Sequence, residues 1–177
     1  MADFSGKRRI VSLITDFGQK DPFVGIMKGV MLSINPELTL VDISHEISPH
    51  NVIEAALTLK LSYRYFPEGT VHLVVVEPGV GGERIPLAAE ASGYFFVGPD
   101  NGVFAPVLDE TNAQKKIVRP TEERYFRPEV SQTFHGRDIF GPVAAWLTRG
   151  IALAELGHEI FNYQKLSIPR DDLNKDG

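Results

Sequence analysis

Short, nearly continuous apolar runs alternate with helical patterns along this chain. Arg9 to Thr15 (RIVSLIT), Leu38 to Ile43 (LTLVDI) and Val71 to Val76 (VHLVVV) have strand length and few polar interruptions. Such runs predict strands buried on both faces. Ile85 to Ala91 and Tyr94 to Val97 predict a strand pair joined by Ser92-Gly93. Between the first two strands, Phe23, Ile26, Met27, Val30, Met31 and Ile34 recur at helical spacing. Asp21 is placed to cap that helix, with Pro22 at its first position and Asn35-Pro36 ending it. A second amphipathic helix is expected over Asn51 to Tyr65, stopped by Pro67. A third is expected over Ile139 to Thr148, with Pro142 tolerable only in its first turn and Gly150 ending it.

Strand, helix, strand, helix, strand predicts an α/β fold of three layers. A mostly parallel sheet would carry helices on both faces, in a Rossmann-like arrangement. The 177 residues suit one domain, expected over residues 1–165. The polar, turn-rich end, PRDDLNKDG, predicts that residues 166–177 form a tail or the start of a linker.

Composition narrows the partners. The 18 basic and 23 acidic residues are interspersed and give a net charge of -5, which argues against a nucleic-acid surface. There is no cysteine, so disulfides and thiolate metal sites are excluded. The apolar run Ile10 to Ile14 is too short for a signal peptide, and no stretch reaches membrane-spanning length. The expectation is a cytoplasmic protein that acts on a small molecule, away from membranes.

In an open α/β sheet, ligands bind beyond the carboxyl ends of the strands. Thr15-Asp16-Phe17-Gly18 follows the first predicted strand, and Asp42-Ile43-Ser44-His45 ends the second. Glu77-Pro78-Gly79-Val80-Gly81-Gly82-Glu83-Arg84 follows the third. Gly98-Pro99-Asp100-Asn101-Gly102 and Phe134-His135-Gly136-Arg137-Asp138 complete the set. Each also has a plain structural reading. Asp16 can satisfy turn donors, Asp21 can cap its helix, and Asp42 can pair with a helix end. Asp100-Asn101-Gly102 is a sound turn by itself. His45 and His50 are single loop histidines, His72 lies within an apolar strand as a core or edge residue, and His158 has no partner nearby in sequence.

The glycine loop is not a phosphate-binding P-loop, because no Gly-Lys-Ser/Thr follows, and Arg84 stands where GxGxxG needs its third glycine. It leaves a backbone that a ligand can approach closely, flanked by Glu77 and Arg84. His135 beside Gly136, ahead of a helix, suits either a general base or a structural histidine. No metal constellation and no Gly-x-Ser-x-Gly elbow is present.

Five segments together resemble one family. They are ITDFG at 14–18 with Asp21, GIMKGVMLSINPELTLVDISHEI at 25–47, YFPEGTVHLVVVEPGVGGER at 65–84, FVGPDNGVF at 96–104 and FHGRDIFGPVAAWLTRG at 134–150. In order and spacing they are similar to the N-terminal domain of the S-adenosyl-L-methionine hydroxide adenosyltransferases, whose relatives include fluorinase and chlorinase. The resemblance implies hydrolysis of S-adenosyl-L-methionine to adenosine and L-methionine by water at the 5′ carbon, with no cofactor or metal. It implies that Glu77, Arg84 and His135 handle the water, and that Asp16 holds the ribose hydroxyls. It further implies that Asp21, Val80, Gly81 and Gly136 line the substrate site. Glu77 stands where the family usually has aspartate. The family's halogenases carry tyrosines at the Glu77 and His135 positions and a small hydroxyl residue at Gly136, so water is favoured over halide here. The resemblance also implies a C-terminal β domain following this chain, with sites completed between subunits of a homo-oligomer, commonly a trimer. A non-catalytic nucleoside-binding or assembly domain is the alternative. A methyltransferase fits poorly, because its glycine loop would follow the first strand.

Overall fold

The computed structural model describes residues 10–78, 85–110 and 114–166. Their strands are β1 (Ile10–Thr15), β2 (Thr39–Ser44), β3 (Val71–Val75), β4 (Pro86–Ala91), β5 (Tyr94–Pro99), β6 (Lys116–Pro120) and β7 (Gly157–Glu159). The helices are α1 (Phe23–Ile34), α2 (Val52–Ser62), the single turn α3 (Ala105–Leu108) and α4 (Gly141–Thr148). A π-helical turn, Gly136–Phe140, leads into α4.

The strands form one sheet in the order β2-β1-β3-β5-β4-β6-β7. β1 pairs in parallel with β2 and β3, and β3 with β5. This half matches the parallel expectation and carries the site. Beyond β5, the pairings with β4, β6 and β7 are antiparallel. The reversal comes from the two-residue turn Ser92-Gly93, whose φ values of 53° and 82° are both positive. That is the backbone a tight hairpin needs to match strand twist. β6 and β7 were not expected from the sequence.

Alternation along the strands divides the core into two layers. Val11, Leu13, Leu73 and Val75 pack with Met27 and Met31 of α1 and with Val143, Ala144 and Leu147 of α4. Ile14, Val74 and Val76 pack on the other face with Ala55, Ala56 and Leu59 of α2 and with Val107 and Leu108. With both faces covered, period-two alternation makes β1 and β3 apolar at most positions. The three-layer arrangement is therefore as the pattern predicts.

The helices differ from expectation in several details. In α1, Pro22 is the cap and Phe23 the first helical residue, and no side-chain capping bond is made. The amide of Ile26 bonds to the carbonyl of Pro22, which leaves Asp21 one residue outside the helix. The buried stripe of α1 is Val24, Met27 and Met31, whereas Phe23 and Ile26 are 45% and 41% exposed. α2 is capped by Asn51, whose Oδ1 accepts the amide of Glu54 at 3.1 Å; its last turn tightens to a 3-10 helix at Tyr63–Tyr65.

The third helix begins later than Ile139, because the chain first makes the wider π turn. Pro142 has no amide hydrogen, so it cannot bond to the carbonyl of Asp138. That carbonyl instead accepts the amide of Arg127 at 2.9 Å. Gly141 is required beside it: a Cβ there would lie 2.9 Å from the carbonyl oxygen of Gly136. Residues 160–166 run back along the domain, with the amide of Gln164 donating to Asp100 Oδ1 at 2.8 Å. The expected tail or linker lies mostly at 167–177, outside the described residues.

Candidate active site

β1 is flanked by β2 on one side and β3 on the other. α1 covers one sheet face and α2 the opposite one. A crevice opens at such a switch point, past the carboxyl ends of the central strands. Here a cleft of about 290 Å³ is lined by Asp16, Phe17, Phe23, Pro49, His50, Val75, Glu77, Thr133, Phe134, His135 and Gly136. Of the residues expected from the sequence, Asp16, Glu77, His135 and Gly136 are thus brought together. Asp21 is exposed ahead of α1 and does not line this cleft. Val80, Gly81 and Arg84 lie outside the described residues.

Asp16 directly follows β1, and its side chain is only 10% exposed. Its Oδ2 accepts the amide of His50 at 2.9 Å. Each carboxylate oxygen has two lone-pair sites, so Asp16 keeps the capacity to accept a pair of hydroxyls. Glu77 follows β3 and is buried, with 5% exposure. A carboxylate buried at the edge of a cleft is a candidate functional group.

His50 forms the lip. Its backbone is left-handed, with φ of 63°, an uncommon state for a residue other than glycine. Its ring Nδ1 is 3.2 Å from the carbonyl of Glu77 and its side chain is 64% exposed. No role for it is legible in the sequence, where it is a single loop histidine. The only hint was its place in the loop that leaves a strand of the parallel half.

His135 and Gly136 come from the segment ahead of α4. Gly136 is buried with little room: a Cβ would sit 3.3 Å from Met27 Sδ and Val75 Cγ1, and 3.4 Å from Phe134 Cε2. Asp138 organises this segment. It is fully buried, accepts Arg137 Nε at 2.6 Å and Nη2 at 2.9 Å, and accepts the amide of Ser131 at 2.9 Å. Burial pushes its pKa up, but the Arg137 and Ser131 hydrogen bonds outweigh that and hold it below the usual carboxylate value. The sequence places Asp138 in the Phe134-to-Asp138 segment but carries no signal of this organising role.

One wall of the cleft is aromatic. Phe17, Phe23 and Phe134 meet edge to face, with centroids 6.2, 5.7 and 5.3 Å apart. The Arg137 guanidinium lies 5.2 Å from the Phe134 ring centre. Edge-to-face contacts leave π faces available to a cation. Among the described residues, no group of three or more His, Asp or Glu side chains is arranged to hold a metal ion. No described helix is long and apolar enough to cross a membrane.

Comparison with known proteins adds four findings. The family model described as the S-adenosyl-L-methionine hydroxide adenosyltransferase N-terminal domain matches residues 11–157. The (R)-S-adenosyl-L-methionine hydrolase of Methanocaldococcus jannaschii is 44% identical over 141 residues, covering 77% of this chain and 52% of that protein. The enzyme of the same name from Salinispora tropica is 39% identical, covering 83% and 56%. This chain therefore spans about half the length of those relatives. A crystal structure of an uncharacterized conserved protein from Thermotoga maritima superposes with a TM-score of 0.86 at 39% identity, covering 91% of this chain and 62% of that one.

Proposed function

Because this chain belongs to the S-adenosyl-L-methionine hydroxide adenosyltransferase family, through its N-terminal domain, we propose that its cleft binds S-adenosyl-L-methionine and directs water onto the 5′ carbon. A C–O bond forms as the C–S bond breaks. The products are adenosine, L-methionine and a proton. The observation that carries this reading is the convergence of Asp16, Glu77 and His135, from three separate segments, on one cleft.

The chemistry fits those groups. The sulfonium leaves as a neutral thioether, so no general acid is needed; the demands are alignment of the water and removal of its proton. His135, with Glu77 and Arg84, handles the water and its proton. Asp16 accepts the ribose hydroxyls. The faces of Phe17, Phe23 and Phe134 suit the sulfonium charge before it is lost. Glu77, His135 and Gly136 favour water over halide as nucleophile. The relatives' names support the (R) configuration at sulfur as the substrate.

The remaining wall of the pocket belongs, on this reading, to a C-terminal β domain of a neighbouring subunit in a homotrimer in the cytoplasm. The exposure of His50 and Phe23 at the lip supports a further covering surface. Incubation with each sulfonium epimer, followed by chromatography, tests the activity. Adenosine and methionine should appear in equal amounts from the (R) epimer, and His135→Ala should lower the rate by about 100-fold or more. No adenosine from the intact trimer, or full activity in His135→Ala, would refute the assignment.

A further inference from the structure

We propose that His45 is a positioning residue that holds the Asp16 carboxylate in place through Thr15. This rests on the reading of Asp16 as the ribose acceptor.

Four side chains from α1, β2, the β2 exit and β1 form one polar chain. Lys28 Nζ donates to Asp42 Oδ2 at 2.6 Å. His45 Nε2 lies 2.9 Å from Asp42 Oδ1, and His45 Nδ1 lies 2.8 Å from Thr15 Oγ1. Thr15 Oγ1 in turn accepts the amide of Phe17 at 3.3 Å. Nε2 meets Asp42 Oδ1 at ion-pair distance but without hydrogen-bond alignment, and the acceptor-only carboxylate beside it favours the ring proton on Nε2. Nδ1 is then the acceptor, the Thr15 hydroxyl donates to it, and the Phe17 amide donates to the hydroxyl. The donors from Phe17 through Thr15 to His45 point the same way. Asp16 is the residue between the Thr15 and Phe17 anchors.

Backbone bonds tie the same two strand exits. The amide of Gly18 donates to the carbonyl of His45 at 2.7 Å, and that of Ile47 to Thr15 at 3.4 Å. The β1–β2 register skips Ile43, passing from Leu13↔Asp42 to Ile14↔Ser44. Asp42 and His45 are three residues apart, where plain strand alternation would set them on opposite faces, and the bulge re-aims the side chains so that they meet. Neither His45 nor Thr15 lines the cleft, and they are 1% and 0% exposed. An apolar pair would fill that space without burying polar groups. The polar pair adds direction, which is what an acceptor of two hydroxyls needs from its support.

Thr15→Val removes the hydroxyl at nearly constant shape, and Thr15→Ser restores it. Three readouts apply in the intact protein. Amide hydrogen exchange at Phe17 and at His50, whose amide bonds to Asp16, reports the loop directly. Calorimetry with adenosine reports the acceptor. Steady-state adenosine formation separates KM from kcat. Thr15→Val should speed exchange at both amides by about tenfold or more, and weaken adenosine binding about tenfold. KM should rise while kcat stays within about twofold, the pattern of lost uniform binding. Thr15→Ser should resemble the unsubstituted protein. Asp42→Asn, a change near the surface, should shift all three readouts in the same direction and serves if Thr15→Val does not fold. A purely structural role would lower thermal stability and leave KM unchanged, which would overturn the proposal. So would unaltered exchange and affinity in Thr15→Val and Asp42→Asn. If the unsubstituted protein neither binds adenosine nor forms it, the reading of the cleft fails. The exchange data then still decide whether Thr15 positions Asp16.

Discussion

Replacing His72 should remove a large part of the acid sensitivity of this fold. His72 is fully buried in β3. Its ring stacks on Phe96 at 5.5 Å and is edged by Tyr63, Phe66 and Tyr94. Nδ1 is 2.6 Å from Ser12 Oγ, and Nε2 has no hydrogen-bond partner among the described residues. Burial pushes its pKa down from 6.5 to about 3. The folded protein therefore needs the neutral ring, whereas the unfolded chain takes up a proton near the ordinary value. Stability from this residue is full above 6.5, falls as pH drops through 6.5, and stops falling below about 3. Linkage at one such site gives a loss of about 2 kcal/mol between about pH 7 and about pH 5. Urea unfolding, followed by Trp146 fluorescence, measures it. The reference is His72→Phe with Ser12→Ala, which fills the cage and removes the stranded hydroxyl. Contributions from distant carboxylates cancel in the difference. The unsubstituted protein should lose about 2 kcal/mol more than the double variant over that interval. Equal losses would refute the account of His72 as a neutral core residue.

Gly136→Ala should force Met27, Val75 or Phe134 aside by a few tenths of an ångström, costing about 1–3 kcal/mol of stability. The displaced Phe134 should also raise KM for the proposed sulfonium substrate, so an unchanged urea midpoint and KM would contradict the close packing. Asp138→Asn should destabilise the fold at neutral pH by about 1–3 kcal/mol, through a weakened Arg137 and Ser131 network. Because the folded-state pKa of Asp138 is depressed, that stabilisation exists above the unfolded value and is lost as pH falls through the folded one. The gap between the two proteins, read by urea titration, should therefore close below about pH 4.

Sequence pattern located β1, β2 and β3 because their apolar runs are interrupted by only a few polar residues. The same logic could not find β6 and β7. β6 reads KIVRP, with charge at two of five positions, and β7 reads GHE, with no large apolar residue. Both are recruited by pairing with strands already in place. Helical spacing in α1 was legible, but its direction was not. Phe23 and Ile26 fit the apolar stripe by number, yet they face the cleft rim and solvent while Val24 goes inward. Asp16, Glu77, His135 and Gly136 were readable as candidates because parallel topology gathers strand ends. His50 was not, because a left-handed backbone at a histidine has no sequence signature. Nor was the coupling of Asp42 to His45 and Thr15, which depends on a bulge that skips Ile43.

Pro142 has a consequence for how this architecture can vary in length. The carbonyl it leaves without a helical partner is captured by Arg127, and the Asp138 side chain captures Ser131. The loop between these two points is thus closed by its ends and not by its contents. Doubling such a closed loop costs only about 0.6 kcal/mol, so extra residues between 127 and 131 would be absorbed as a surface excursion. One extra residue between Phe134 and Pro142 would instead turn His135 by about 100° around the helix axis, away from the cleft. The segment is a splice site on one side and a fixed ruler on the other, and natural length variation should accumulate only on the first.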